Sequence, residues 1–233
     1  MNFPSSVNNL VLPSSHKRPH DTRFPYICGV MHKEDITHPQ PINLGLPSGT
    51  LWADRNLGAE SVTDYGDYYM WGSTEPDTDN PCDWEYAPFN GGFQWYNPDV
   101  VETFRKEAFP NGVLSDQYDA AHVHLGGKWH MPTKEQFQEL LEYTNTEWVM
   151  YFNGSGINGH KFTSKTNGNS IFIPTAGYWD YSSVYYVGRR AHLWSSTLDS
   201  NDPSSVYYLY FNSDYCYVNN YDRFYGFCVR PVQ

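Results

Sequence analysis

Between Trp148 and Val232 the sequence breaks into seven short apolar or alternating segments: WVMYF, GHKFTSK, NSIFIPTAG, HLWSST, SVYYLYFNS, DYCYVNN and GFCVRPV. Turn signals such as Asn153-Gly154, Asn158-Gly159 and Asn167-Gly168 separate several of them. Asn-Gly supplies the positive backbone angles that a tight reversal between antiparallel strands needs. The segments therefore read as a run of short antiparallel strands. In VYYLYFN the period of two puts Leu209 and Phe211 on one face and Tyr208 and Tyr210 on the other, with Tyr207 falling on the Leu209 side. In DYCYV, Cys216 and Val218 oppose Tyr215 and Tyr217. GFCVRPV is apolar at nearly every position, as in a central strand covered on both sides.

The rest of the chain reads differently. PINLGLPSGTLWADRNLGA holds two short strand candidates around Pro47-Ser48-Gly49, and DYGDYYMWGST adds a third with Tyr68, Met70 and Trp71 as core candidates. Residues 115–123, SDQYDAAHV, fit a short helix capped by Ser115 or Asp116. The strongest helix signal is KEQFQELLEY: Thr133 and Gln136 form a capping box, and Phe137, Leu140 and Leu141 share one stripe. Strands, then helices, then a run of antiparallel strands give an α+β class. Residues 75–100 read as a long irregular loop pinned by Trp84, Phe89, Phe93, Trp95 and Tyr96. Residues 1–40, rich in Pro, Ser and His, read as an arm or linker, with attachment or oligomerisation as the functional alternative.

A formal net charge of −11 argues against nucleic acid or an anionic membrane as the main partner. No apolar run approaches a membrane span of about 18 residues, and the first twenty residues contain no recognisable signal peptide. The four cysteines, Cys28, Cys82, Cys216 and Cys228, match no zinc or redox spacing. They read as separate thiols, with a Cys216–Cys228 bridge as the pairing to weigh.

The stretch Asp199–Arg230 is crowded with Tyr, Asn, Ser and Asp and lacks Lys, Glu, Gln, Met and Trp. It is too polar for a core and too aromatic for a disordered tail. Tyr offers a large amphipathic face at low conformational cost, and Ser and Asn offer adaptable hydrogen bonds, as in an antibody paratope.

Six phrases occur in order from about residue 41 to the end: PINLGLPSGTLWADRNLGA, DYGDYYMWG, DAAHVHLGGKWHMPTKEQFQELL, NSIFIPTAGYWD, LWSST and GFCVRPV. Together they resemble the Fibrobacter major paralogous domain, which implies a C-type-lectin-like fold over residues 41–233, with short antiparallel strands, two helices and long aromatic-rich loops. The C-terminal block also resembles the variable region of target proteins of diversity-generating retroelements. In those systems mutagenesis of adenines converts Asn codons of the AAC type into many others, but not into codons for Lys, Glu, Gln, Met or Trp. The resemblance implies a variable region over about 181–228, with Leu209, Phe211, Val218, Gly226, Phe227, Val229 and Arg230 as framework. It implies a non-enzymatic ligand-binding protein, a phage tail component or a cell-surface adhesin, whose partner is a protein or glycan receptor on another cell. A homotrimer would suit a tail tip.

The binding candidates are Tyr207, Tyr208, Tyr210, Asp214, Tyr215, Tyr217, Asn219, Asn220, Tyr221, Asp222, Phe224 and Tyr225. The alternative is that several merely cover the sheet. A second patch, Tyr181, Ser182, Tyr185, Tyr186, Arg189, Arg190 and His192, has similar composition, with an ordinary polar loop as its alternative. Asp77, Asp79, Asp83 and Glu85 lack the spacing of a calcium loop and read as a solvated acidic loop. No metal, cofactor or catalytic residue is expected: GxSxG, HExxH and P-loop patterns are absent, and His122 and His124 are too close in sequence to converge from one helix. An undiversified surface domain with a structural or carbohydrate-binding role is the competing function.

Overall fold

The computed structural model describes residues 38–76, 87, 107–202 and 204–233. The acidic residues of the 77–85 loop, its aromatic pins, Cys28 and Cys82, and the first 37 residues lie outside this set.

Among the described residues ten short strands dominate. The hairpin β1 (Pro41–Asn43) and β2 (Leu51–Ala53) leads to two helices, α1 (Ala120–Leu125) and α2 (Lys134–Tyr143). A meander follows, of β3 (Thr144–Val149), β4 (Gly159–Ser164) and β5 (Ser170–Pro174). Next come the small hairpin β6 (Tyr178–Asp180) and β7 (Ser183–Tyr185), and a second meander, β8 (Ala191–Leu198), β9 (Ser205–Phe211) and β10 (Cys216–Asp222). All strand-to-strand pairings are antiparallel. The α+β, C-type-lectin-like class expected from the sequence is therefore corrected. The described chain is mostly short antiparallel strand, with little helix beyond segments of six and ten residues.

Local chemistry explains the helices. The α2 box forms: the Thr133 hydroxyl accepts from the Gln136 amide, and the Gln136 side chain accepts from the Thr133 amide. Phe137 and Leu140 are buried against the sheets. The earlier helix starts later than the sequence suggests. Neither Ser115 nor Asp116 caps it; Asp116–Tyr118 is a 3₁₀ turn, and the buried Asp119 carboxylate caps α1 by accepting from the His122 amide. Its other oxygen accepts from the Met131 amide, tying α1 to the strand-like approach to α2.

The last residues are buried, as the apolar reading of GFCVRPV requires. Phe227, Cys228, Val229, Arg230 and Val232 are fully buried. The segment forms isolated bridges rather than a continuous strand, successively to Trp179, Tyr69, Leu193 and Trp52. Val229 and Pro231 carbonyls accept from Leu57 and Ala53, and Gln233 exchanges both backbone bonds with Leu51. Arg230 holds this junction: its guanidinium donates to Asn56 Oδ1, Ala53 O and Phe172 O, and burial lowers its pKa to about 9. Residues 38–40, the described end of the expected arm, are tied to the same region through Asp54 and Arg55.

The β8–β9–β10 sheet is covered unequally. One face carries Ala191, Leu193, Leu209, Phe211, Cys216 and Val218 into a core shared with Phe137, Leu140, Phe162 and Ile173. Each fully buried aliphatic or aromatic side chain there contributes about 1.5–3 kcal/mol relative to exposure. The other face is aromatic, and part of it is open.

Two expected turns resolve differently. Asn153-Gly154 does supply a reversal, with φ of 50° and 76°. Gly159 instead opens β4, where a Cβ would lie 2.2 Å from the Ile173 carbonyl oxygen, so the glycine permits the close pairing of β4 with β5. Cys216 and Cys228 are free thiols, so the weighed bridge does not form; burial pushes Cys216 up to about 12 and raises Cys228 as well.

Candidate functional site

The register of β8, β9 and β10 assembles the aromatic face. His192 stands opposite Tyr210 and Trp194 opposite Tyr208; Tyr210 is opposite Tyr217, Tyr208 opposite Asn219 and Val206 opposite Tyr221. With a side-chain period of two, His192, Trp194, Tyr208, Tyr210, Tyr217, Asn219 and Tyr221 all project to the same side. Phe227 covers the inner end, its ring 3.9 Å from that of Trp194.

The β6–β7 hairpin brings in the second patch. Tyr178 and Tyr185 are cross-strand partners. The Tyr178 ring lies 4.8 Å from His192, 5.5 Å from Tyr225, and 6.0 Å from both Tyr185 and Tyr186. Gly177 makes the approach feasible. It has φ of 73°, and a Cβ there would fall 2.0 Å from the Tyr185 carbonyl oxygen. Its amide donates to Arg190 O, and Trp179 exchanges backbone bonds with Gly226, so β6 is locked between β8 and the C-terminal segment.

Two sequence-distant patches thus become one surface. Its rim is exposed: Tyr185, Tyr186, Tyr217, Asn219 and Tyr221 are open to solvent, as are Tyr181, Ser182 and Arg189 on the adjoining turns. Its floor is His192, Tyr208, Tyr210 and Phe227, with Tyr178, Arg190 and Tyr225 half-buried between. Tyr217 sits 5.1 Å from Tyr210, and Tyr221 lies 5.9 Å from Tyr208 and 4.9 Å from Tyr225.

The floor corrects part of the sequence reading. Three of the binding candidates, Tyr208, Tyr210 and His192, are almost fully covered by neighbouring rings and lie beneath the exposed tyrosines. Phe224 is buried with Met70 and Ala87, stacked 4.2 Å from Tyr225. Tyr207, Asn220 and Asp222 point to the opposite side of the sheet, as period-two geometry dictates. There Lys134 Nζ lies 3.7 Å over the Tyr207 ring and Asn220 Nδ2 donates to Asp199 Oδ2. Asp214 and Tyr215 are exposed in the β9–β10 turn, which Asn212 organises by accepting from both of their amides.

One contributor escaped the sequence reading. Tyr178 is the hub between the two patches, although it precedes the expected variable region; its signal was the alternation that pairs it with Asp180 on one side of YWD. Met150 and Tyr151 are exposed on the β3–β4 connection. Asn158 links that connection to the β7–β8 turn, accepting from the Tyr151 amide and donating to the Gly188 carbonyl.

Burial governs the titration of the face. Burial, followed by the Tyr217, Tyr221 and Tyr210 phenols, raises the Tyr208 pKa, and burial likewise raises Tyr178, Tyr217 and Tyr225. These hydroxyls stay protonated at neutral pH and can both donate and accept. Burial lowers His192 to about 3, leaving a neutral ring in the floor. Among the described residues no group of three or more His, Cys, Asp or Glu is arranged to hold a metal ion.

A family model described as a domain of unknown function (DUF8237) matches residues 154–232. That span runs from the β3–β4 connection through the C-terminal segment and so contains the whole aromatic face, but neither helix. No curated protein and no solved structure matches the chain.

Proposed function

We propose that this chain is a non-enzymatic recognition protein that binds a receptor through the aromatic face, and that its C-terminal surface is a product of retroelement diversification. One observation carries the reading: two patches picked out by composition alone, 181–192 and 207–225, meet on one side of one sheet, with five exposed contact residues over a floor of packed rings. Tyr on a rigid, exposed rim is the side chain most suited to act as a binding hot spot. The framework positions carry fully buried Leu209, Phe211, Phe227, Val229 and Arg230, so exposed neighbours can change without loss of the fold. The setting that suits this chemistry is a virion tail or a cell surface, with a receptor on another cell as partner.

The genetic test is direct. Sequencing the DNA flanking the coding region should reveal a reverse transcriptase and a near-copy of the segment encoding residues 181–228, differing mainly at adenines. A flanking region with no such copy sinks the diversification reading and leaves an undiversified binding or structural domain.

A further inference from the structure

We propose that Arg190 is the anion-recognition centre of the aromatic face, and that the receptor is a protein presenting an Asp or Glu side chain beside an apolar residue. This deepens the proposed function and rests on it.

Arg190 sits where the two patches meet. Its guanidinium carbon lies 3.8 Å over the Tyr186 ring, and its charge acts on the phenols of Tyr178, Tyr208 and Tyr217 and on His192. Its backbone is fixed on both sides, the amide donating to Tyr186 O and the carbonyl accepting from Gly177. Among the described residues, however, its side chain makes no hydrogen bond or ion pair. A guanidinium carries five donors in a planar fork suited to a carboxylate. Here it is half-buried and pre-oriented by an aromatic ring, and among the described residues its donors meet no acceptor.

The surroundings suit an incoming carboxylate. The neighbouring phenols are protonated and can donate to it alongside the fork. Arg189, exposed on the same turn, adds a second positive charge in a chain of net charge −11. Asp180, at the end of β6, is half-buried, and burial raises its pKa. The occupant is a protein rather than an acidic sugar because the rest of the surface is apolar and broad. Tyr185, Tyr186, Val187, Tyr217 and Tyr221 expose rings and methyls across it, a surface that can cover an apolar side chain next to the acid.

The test is to pan a displayed library of random peptides against the immobilised full chain, using wild type, Arg190→Gln and Arg190→Lys, each first shown to melt normally. Wild type should enrich peptides carrying Asp or Glu next to an apolar residue. A resynthesised binder should weaken about tenfold when its acid becomes Gln or Asn, the scale of one charge-assisted hydrogen-bonded pair. Arg190→Gln should lose the same factor on the acidic peptide and none on the amide version, with Arg190→Lys intermediate. Pools without acidic enrichment, amide peptides that bind as tightly, an Arg190→Gln variant that binds unchanged, or capture of acidic glycans without any peptide pool would each overturn the proposal. A Tyr217→Ala/Tyr221→Ala variant separates the two levels. If selected peptides bind it as well as wild type, the aromatic face itself is not the binding surface. If they bind wild type, fail on this variant and ignore Arg190, only the anion centre falls.

Discussion

Nε2 of His160, in β4, lies 2.9 Å from the carbonyl oxygen of Asn212, in the β9–β10 turn. The same Asn212 shapes that turn through its side chain, which also donates to the Tyr210 hydroxyl at 3.0 Å. One residue therefore connects the β3–β4–β5 meander, the floor of the aromatic face and the exposed turn carrying Asp214 and Tyr215. The His160 ring is itself held 4.7 Å from Phe211, so the connection is anchored in the core. Substituting His160 by Phe should keep the packing and release the turn. Amide exchange at Asp214 and Tyr215 should accelerate while exchange in β9 stays slow; unchanged exchange in the turn would mean that the local Asn212 bonds suffice.

Rim and floor tyrosines should behave differently when truncated. Tyr217→Ala and Tyr221→Ala should each weaken receptor binding by about 2 kcal/mol and leave the melting temperature nearly unchanged. Tyr208→Ala should cost about 3–5 kcal/mol of stability, the range for emptying a buried aromatic site. Urea denaturation beside binding measurements checks both. A Tyr217 variant as unstable as the Tyr208 variant would assign the rim to the core.

His192 makes stability depend on pH. Its folded pKa is depressed by burial to about 3, below the ordinary value of 6.5, so the unfolded chain binds the proton first as pH falls. Its contribution is complete above about pH 6.5 and declines by about 1.4 kcal/mol per pH unit below that, down towards the folded value. Burial lowers His160 as well, and its effect has the same sign. Thermal melts from pH 4 to 8 should show the decline, and His192→Phe, which keeps a ring in the floor, should flatten it. An equal slope in that variant would assign the pH dependence to other groups.

Tyr181 occupies the left-handed region with φ of 48° while its side chain is exposed. A bulky residue there costs about 1 kcal/mol or more, and Asn tolerates the conformation far better. Tyr181→Asn should therefore raise stability by about 1 kcal/mol; a fall would show that the ring makes a compensating contact.

Arg230→Met should be among the most damaging single changes, costing about 3 kcal/mol or more. It would leave Asn56 Oδ1, Ala53 O and Phe172 O without their donor at a fully buried junction. Chemical denaturation of the variant tests it, and a loss below 1 kcal/mol would mean that water replaces the guanidinium.

The sequence by itself determined the local pieces. The Thr133–Gln136 box started α2, alternation divided Leu209 and Phe211 from Tyr208 and Tyr210, and the apolar run at 226–232 announced a buried centre, because each signal acts between residues close along the chain. It also marked both halves of the aromatic face by composition. Tertiary structure decided the remainder. Which alternating face is open depends on what packs over it, so Tyr208, Tyr210 and His192 became floor while Tyr217 and Tyr221 became rim, although all lie on the same side of the sheet. The fold class also shifted, since helix signals covering few residues cannot outweigh the short strands that the described residues join into hairpins and meanders. The meeting of Tyr178 with Tyr225 follows from Gly177 and from the backbone bonds between Trp179 and Gly226, distant segments that no local pattern brings together.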